Sequence, residues 1–208
     1  MKFASLAVFL ALLWAGTAAA AIVDFRNEAT FGGALNQPSF SANVEGNVIT
    51  ITAIPTGARL WWDHTDGLGV QSRYGYERDE IEGVERLKIQ FSAPVHLSSV
   101  LITDLFNEGY LERGSYQLNG SSKWVDFSAL PSQTPSNSNG ELKLSVDPSI
   151  SVSSILFRAP GRLPGNQGHE FSVAAIETTA APIPAAVWLL GSGLVGMVAL
   201  RRRHCSQR

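Results

Sequence analysis

Residues 40–54 of the chain, FSANVEGNVITITAI, contain the pattern on which the fold prediction depends. Residues 48–54 alternate between apolar and polar side chains and are rich in β-branched residues, which favour strands. Residues 45–47, Glu-Gly-Asn, are typical of a tight turn, and residues 40–44 stand on its other side. The stretch therefore predicts an antiparallel β-hairpin.

Similar short runs recur along the chain at intervals of about 10–15 residues, with Gly, Pro, Asn and Ser between them. No window has a convincing helical period, and Pro94 is predicted to end one strand before the next begins. We therefore expect an all-β domain, an antiparallel β-sandwich of the jelly-roll type. The predicted strands are residues 22–25, 40–44, 48–54, 87–91, 97–105, 114–118, 123–127, 142–146, 154–158 and 170–176.

Residues 1–21 have the organisation of a secretory signal peptide. Lys2 precedes an apolar run at residues 4–14, and small residues suited to signal peptidase follow at residues 16–21. The alternative is an N-terminal membrane anchor. The apolar run is too short for this, because a bilayer core of about 30 Å needs about 20 helical residues. We expect the mature domain to occupy residues 22–178.

The C-terminal residues 179–208 have a different organisation. Residues 185–200, AAVWLLGSGLVGMVAL, carry no charge, and Pro182 and Pro184 before them stop any helix arriving from upstream. An uncharged run closed by a basic cluster predicts a transmembrane helix with a cytoplasmic C-terminus. A buried core helix is the alternative, and the run lacks the amphipathic pattern that such a helix has. The basic cluster consists of Arg201, Arg202 and Arg203.

This order of proline pair, apolar helix and arginine tail resembles the PEP-CTERM class of sorting signal, and its Val-Pro-Leu-Pro-Ala variant most closely. Residues 181–185 read Ala-Pro-Ile-Pro-Ala, so Ile183 stands where the Pro-Glu-Pro form has Glu. The resemblance covers residues 182–208. It implies a substrate of an exosortase, a transpeptidase-like membrane enzyme of Gram-negative, exopolysaccharide-producing bacteria. The implied recognition residues are Pro182 and Pro184, and the catalytic residues belong to the exosortase.

The central segment is similar to domains that often carry such a tail. Residues 66–70 read DGLGV, residues 79–83 read DEIEG, and residues 170–176 read EFSVAAI. Those domains are mostly uncharacterised, so the resemblance implies more about fold than about function.

Charge is unevenly distributed along the chain. The net charge is −2, but residues 22–178 hold all 18 acidic and 11 of the 16 basic residues and therefore carry −7. This balance argues against a nucleic-acid-binding protein. The single cysteine, Cys205, lies beyond the predicted helix, which excludes a disulfide framework and a cysteine-based zinc cluster in the domain.

Carboxylates concentrate at residues 63–82, which we expect to form an acidic loop. Ca²⁺ takes about six to eight oxygen ligands, often from loops, and Gly67 and Gly69 permit tight backbone geometry. The sequence therefore offers Ca²⁺ as a candidate cofactor. The alternative is a solvated loop neutralised by nearby arginines. The predicted ligands are Asp63, Asp66, Glu77, Asp79, Glu80 and Glu82.

Four aromatic side chains, Trp61, Trp62, Tyr74 and Tyr76, flank this loop. Exposed aromatic faces stack on sugar rings, so one interpretation is a glycan-binding platform. Aromatic core packing is the alternative. Neighbouring residues of a strand point to opposite faces, so one tryptophan of the pair is expected in the core.

The sequence predicts no catalytic residue. It has no Gly-x-Ser-x-Gly elbow and no paired-histidine zinc motif. The scattered residues His64, His96 and His169 are expected at the surface or in loops. Paired carboxylates can support glycoside hydrolysis, so a secreted carbohydrate-active enzyme remains the alternative. A domain that serves only as a spacer is a third interpretation.

The sequence as a whole predicts an exported, exosortase-sorted protein of the cell surface or extracellular matrix, with a non-enzymatic, structural or glycan-interacting β-sandwich. The expected partners are the exosortase and exopolysaccharide. Before processing, the C-terminal helix is expected to anchor the chain in the inner membrane.

Overall fold

A computed structural model describes residues 21–73, 79–137, 139–161 and 168–179 of the chain. They fall within one compact unit, Ala20–Thr179. They form eleven strands, one short α-helix and one 3₁₀ turn, and the strands pair antiparallel, which confirms the all-β prediction. The strands are β1 (Ile22–Asp24), β2 (Ser39–Val44), β3 (Asn47–Ile54), β4 (Arg59–Asp63), β5 (Gly67–Gln71), β6 (Arg86–Thr103), β7 (Arg113–Leu118), β8 (Val125–Ser128), β9 (Leu142–Ser145), β10 (Ser151–Arg158) and β11 (Ser172–Thr178); helix α1 is Glu28–Phe31 and the 3₁₀ turn is Gly32–Ala34.

The long strand β6 belongs to two groups of strands. Its residues 86–96 pair with β3 and β10, and its residues 97–103 pair with β9 and β11. The first group continues from β10 to β7 and β8, and from β3 to β2. The second continues from β11 to β5 and β4. Two groups that share one strand give the domain a β-sandwich-like organisation.

Strand β11 lies inside the second group. It pairs with β6 along one side and with β5 and β1 along the other. The pairing with β1 continues beyond the strand, where the Thr178 N–H donates to the Ala21 carbonyl at 2.8 Å. The last strand of the domain is therefore an internal strand.

Apolar rows across the first group explain why its alternating sequences form a sheet. Ile51 lies opposite Ile89, and Ile89 lies opposite Ile155. In the next row Leu87 lies opposite Phe157. All five side chains are fully buried. Burial of one such side chain stabilises the folded state by about 1.5–3 kcal/mol, so the alternation directs one face of the sheet into the core.

The hairpin predicted from residues 40–54 is present as β2 and β3. Its turn residues Glu45 and Gly46 have φ angles of 52° and 85°. Two positive φ angles in a two-residue turn match the right-handed twist of the flanking strands. The Asn43 side chain accepts a hydrogen bond from the Gly46 N–H at 3.0 Å and fixes the turn.

The prediction that Pro94 separates two strands is wrong, because β6 runs through it without interruption. Strand β3 pairs with β6 only as far as Phe91, and the pairing with β10 shifts register between Val152 and Ser154. Pro94 therefore lies where β6 makes no register pair, and its missing N–H costs no ladder hydrogen bond.

The prediction of a single acidic loop at residues 63–82 is wrong in its first part, because Gly67–Gln71 is strand β5. Glycines weaken strand propensity, and they hid this strand in the sequence. The structure shows why they are needed. A Cβ on Gly67 would lie 2.6 Å from the Val173 carbonyl oxygen, and one on Gly69 would overlap the Asp79 carbonyl group.

Residues 66–70, 79–83 and 170–176, the three segments in which the domain resembles other domains, contact one another. The Val70 N–H donates to the Glu80 carbonyl at 3.2 Å, and the Ile81 N–H donates to the Phe171 carbonyl at 2.8 Å. Residues 79–81 are thus held between β5 and the residue preceding β11.

Several predictions concern residues outside the described ranges. The signal peptide up to residue 20 and the sorting tail from residue 180 lie there, as do Tyr74, Tyr76 and Glu77. Among the described residues, no helix has the length and apolar character needed to cross a membrane.

The packing of Gly69 leads to a first prediction. Gly69→Ala should lower the free energy of unfolding by about 1–3 kcal/mol, since the added Cβ must displace the backbone at Asp79. Chemical denaturation of the full chain in a mild nonionic detergent measures the change. Gly161→Ala is the matched control, because no atom of the described residues lies within 4 Å of the added Cβ, and it should change stability by no more than about 0.5 kcal/mol. Equal stability of the two variants would contradict the packing.

Candidate functional site

The turn between β4 and β5 places the first predicted ligands. Asp63 ends β4, and its Oδ1 accepts hydrogen bonds from the Thr65 N–H at 2.7 Å and the Asp66 N–H at 2.8 Å. The Asp66 carbonyl accepts from the Thr103 hydroxyl at 2.7 Å, which ties the turn to the end of β6. Asp63 therefore has a structural role in this turn.

Asp66 forms a carboxyl pair with Asp104, which directly follows β6. Burial, followed by the charges of Asp66 and Asp63, raises the pKa of Asp104 to about 7. Burial and the charge of Asp63 raise the pKa of Asp66, whereas its hydrogen bond with Asp104 lowers it. The two carboxyl groups thus share a hydrogen bond, and burial raises the pKa of both.

Glu80 has the most strongly raised pKa among the carboxyls of the described residues. Burial raises its pKa to about 11, and the negative charges of Glu170, Asp104 and Glu112 act in the same direction. Its Oε2 atom is buried without a hydrogen-bond partner among the described residues. Glu80 is therefore a neutral carboxylic acid at physiological pH.

Glu112 precedes β7 and closes a backbone turn. Its Oε2 accepts from the Phe106 N–H at 2.5 Å, and its own N–H donates to the Phe106 carbonyl at 3.0 Å. Burial raises the pKa of Glu112 to about 8, and the charges of Glu170 and Glu108 add to the effect. We call Asp66, Glu80, Asp104, Glu112 and Glu170 the acidic cluster.

Glu82 and Glu85 form a separate turn before β6, and both side chains are buried. The Glu85 N–H donates to the Glu82 carbonyl at 2.8 Å, and a Glu85 carboxyl oxygen accepts from the Glu82 N–H at 3.2 Å. Burial raises the pKa of Glu85 to about 7. This carboxyl holds the chain at the start of β6.

Tyr110 and His169 border the acidic cluster. The Tyr110 hydroxyl donates to the Gly168 carbonyl at 2.7 Å, and its ring meets the His169 ring edge-on at 5.8 Å. His169 is 4% exposed, and burial lowers its pKa. His169 thus lies in a loop, which is one of the two expected positions. It does not lie at the surface, because the residues around Tyr110 cover its side chain.

The predicted Ca²⁺ ligands divide between these surroundings. Asp63, Asp66 and Asp79 act electrostatically on Asp104, and the charges of Asp104 and Asp79 also act on Glu80. Glu82 lies in the separate turn before β6. Among the described residues, no three His, Cys, Asp or Glu side chains are placed to hold one metal ion. One of the six predicted ligands, Glu77, lies outside the described ranges, and the Ca²⁺ site stays a prediction.

Sequence reasoning missed Asp104 and Glu112 altogether. Both stand far along the chain from residues 63–82, and antiparallel pairing brings them into the cluster. Glu170 could have been noticed in the sequence, because it begins one of the three segments that resemble other domains.

The predicted aromatic platform is only partly described. Trp62 packs against the core, and its Nε1–H donates to the Phe25 carbonyl at 2.6 Å. Trp61 is half-buried, with its Nε1 3.4 Å from an Asp63 carboxyl oxygen. The pair thus has one core member, as the alternation of β4 requires.

Neither models of known protein families nor curated proteins give a match to this chain.

The raised pKa values predict how stability depends on pH. Asp104, Glu85 and Glu112, with folded pKa values of about 7, 7 and 8, bind protons more tightly in the folded state than in the unfolded state. Their contribution is therefore complete below the unfolded pKa values, near 4, and is lost as pH rises through about 8. The melting temperature of the full chain should fall by several degrees between about pH 5 and about pH 9.

Glu112→Gln should flatten this profile, because the amide retains an acceptor for the Phe106 N–H and cannot ionise. Glu45→Gln, in the exposed β2–β3 turn, is the control and should keep the wild-type profile. A melting temperature independent of pH in the wild type would contradict the burial of ionisable carboxyls.

The predicted Ca²⁺ site can be tested through its effect on thermal stability. At about pH 8, millimolar Ca²⁺ should raise the melting temperature and EDTA should lower it, because ligand binding stabilises the folded state. Asp79→Asn should reduce the response, because it removes an exposed carboxylate of the predicted ligand set, while Glu45→Gln should leave it unchanged. Identical melting curves in Ca²⁺ and EDTA would rule out a stabilising Ca²⁺ site.

Proposed function

We propose that the chain is an exported, exosortase-sorted component of the cell surface or extracellular matrix, with a structural or glycan-interacting domain. The observation that carries the proposal is the order of segments along the sequence. A signal-like N-terminus precedes residues 22–178, and a proline pair, an uncharged run and three arginines follow them. The compact all-β unit Ala20–Thr179 occupies the place that an exported domain takes in this plan.

In this proposal the sorting enzyme recognises Pro182, Ile183 and Pro184. The uncharged residues 185–200 hold the precursor in the inner membrane, and Arg201–Arg203 remain on the cytoplasmic side. Processing then releases the acidic domain to the cell surface or the matrix.

We infer further that the domain is a β-sandwich of the jelly-roll type. The inference is supported by the sharing of β6 between two groups of antiparallel strands and by the long connections that join non-adjacent strands.

A carbohydrate-active enzyme is the second candidate, and one observation favours it. The carboxyls of Asp104 and Glu112, with pKa values of about 7 and 8, have the acidity that general acids need at neutral pH. The lining of the cleft supports the non-enzymatic proposal instead, because neither Asp104 nor Glu112 is among its lining residues. The cleft that the described residues form on β6, β7 and β10 is lined by a single carboxylate, Asp126, whereas glycoside hydrolysis uses two across one cleft.

Replacement of the proline pair tests the sorting proposal. Pro182→Ala with Pro184→Ala should leave an unprocessed form in the membrane fraction of an exosortase-containing host. Immunoblotting of membrane and released fractions measures the ratio, which should change at least about tenfold.

Pro131→Ala in the domain is the matched control and should be processed like the wild type. Normal processing and release of the double variant would refute recognition through the proline pair.

A further inference from the structure

Three arginines come together on the outward face of the first group of strands. Arg86 begins β6, Arg158 ends β10, and the two lie directly opposite each other. Ser115 of β7 lies opposite Arg158 on its other side. Arg113 stands two residues before Ser115 and therefore projects from the same face.

The positive charges of these three arginines repel one another. Side chains directly opposite on antiparallel strands have Cβ atoms about 5 Å apart, and like charges there destabilise the sheet. Within the described part of the chain, Arg86, Arg113 and Arg158 make no ion pair or side-chain hydrogen bond. They remain unpaired although residues 22–178 carry a net charge of −7.

Arg158 is held in position by an aromatic ring. Its guanidinium lies 3.7 Å from the centroid of the Trp124 ring, which is a cation–π contact. Arg158 is half-buried, whereas Arg86 and Arg113 are exposed. The central cation of the three is thus preorganised, and its neighbours border it from adjacent strands.

The three side chains line a cleft of about 480 Å³, a volume typical of small-ligand pockets. Gly83 and Gly161 also line the cleft and contribute no side chains to it. Ser115 and Asp126 complete the polar lining, and the Ser115 hydroxyl donates to Asp126 at 2.7 Å. Guanidinium groups bind carboxylate or phosphate oxygens in a bidentate manner, and a carboxylate such as Asp126 accepts hydrogen bonds from hydroxyl groups.

We propose that this cleft binds a sugar unit that bears an acidic group, with the arginines on the anion and Asp126 on a hydroxyl. The proposal deepens the glycan-interacting role proposed above and rests on it for the class of ligand. A carboxylate or phosphate group fits the arginines equally well. The hydroxyl acceptor distinguishes an acidic sugar from an inorganic anion.

Isothermal titration calorimetry of the full chain in a mild nonionic detergent tests the proposal, with four probes. Digalacturonate carries the acidic group as a carboxylate, and glucose 6-phosphate carries it as a phosphate. Maltose is the neutral sugar, and inorganic phosphate is the anion without a sugar. We expect saturable binding of at least one acidic sugar, weakened about tenfold or more by Arg158→Gln.

Arg86→Gln provides a second variant on a neighbouring strand, in case loss of the contact with Trp124 impairs folding. Arg59→Gln is the matched control, because it removes the same charge on β4 outside the cleft and should leave binding unchanged. Melting temperatures establish that each variant is folded.

Preferential binding of digalacturonate or of glucose 6-phosphate identifies the acidic group. Inorganic phosphate binding as tightly as the acidic sugars would overturn the proposal, and so would wild-type affinity in both cleft variants. If maltose alone binds, equally in every variant, the cleft proposal fails and the glycan-interacting role stands. Normal sorting of a chain that binds none of the probes would overturn the cleft proposal and leave the sorting proposal intact.

Discussion

Strand β6 is hydrogen-bonded to both groups of strands, and the remaining structure depends on that sharing. Its first part presents Leu87 and Ile89 to one set of partners, and its second part presents Val100 and Ile102 to another. All four side chains are fully buried. Because one strand serves both ladders, the register of one group constrains that of the other. Arg86, the first residue of β6, and Asp104, which directly follows the strand, are positioned by the same constraint.

The two charged regions of the domain differ in their relation to water. The acidic cluster is partly withdrawn from water, and desolvation there makes neutral carboxyls more favourable than carboxylates. Glu80 is the extreme case, with a pKa of about 11. Arg86 and Arg113, by contrast, are exposed to solvent. The net charge of −7 counted from the sequence therefore overstates the negative charge that the folded domain carries near neutral pH.

The sequence predicted the hairpin at residues 40–54 because alternation and turn chemistry are local signals. It did not predict β5, because Gly67 and Gly69 were selected for close backbone contact rather than for strand propensity. It placed Asp66 and Glu80 in one site but could not supply Asp104 or Glu112, which join them only through strand pairing. The arginine cleft was equally hidden, since its members come from three strands whose order a single sequence does not encode locally.

The internal position of β11 has a mechanical consequence. The compact unit ends at Thr179, directly after β11, and this strand is bonded to β6 on one side and to β1 and β5 on the other. A pull on the chain at Thr179 acts along the strand axis, nearly perpendicular to these hydrogen bonds. The load is then shared by many bonds in shear, whereas an edge strand would peel away one bond at a time. A domain held by its C-terminus is thus held through an internal strand.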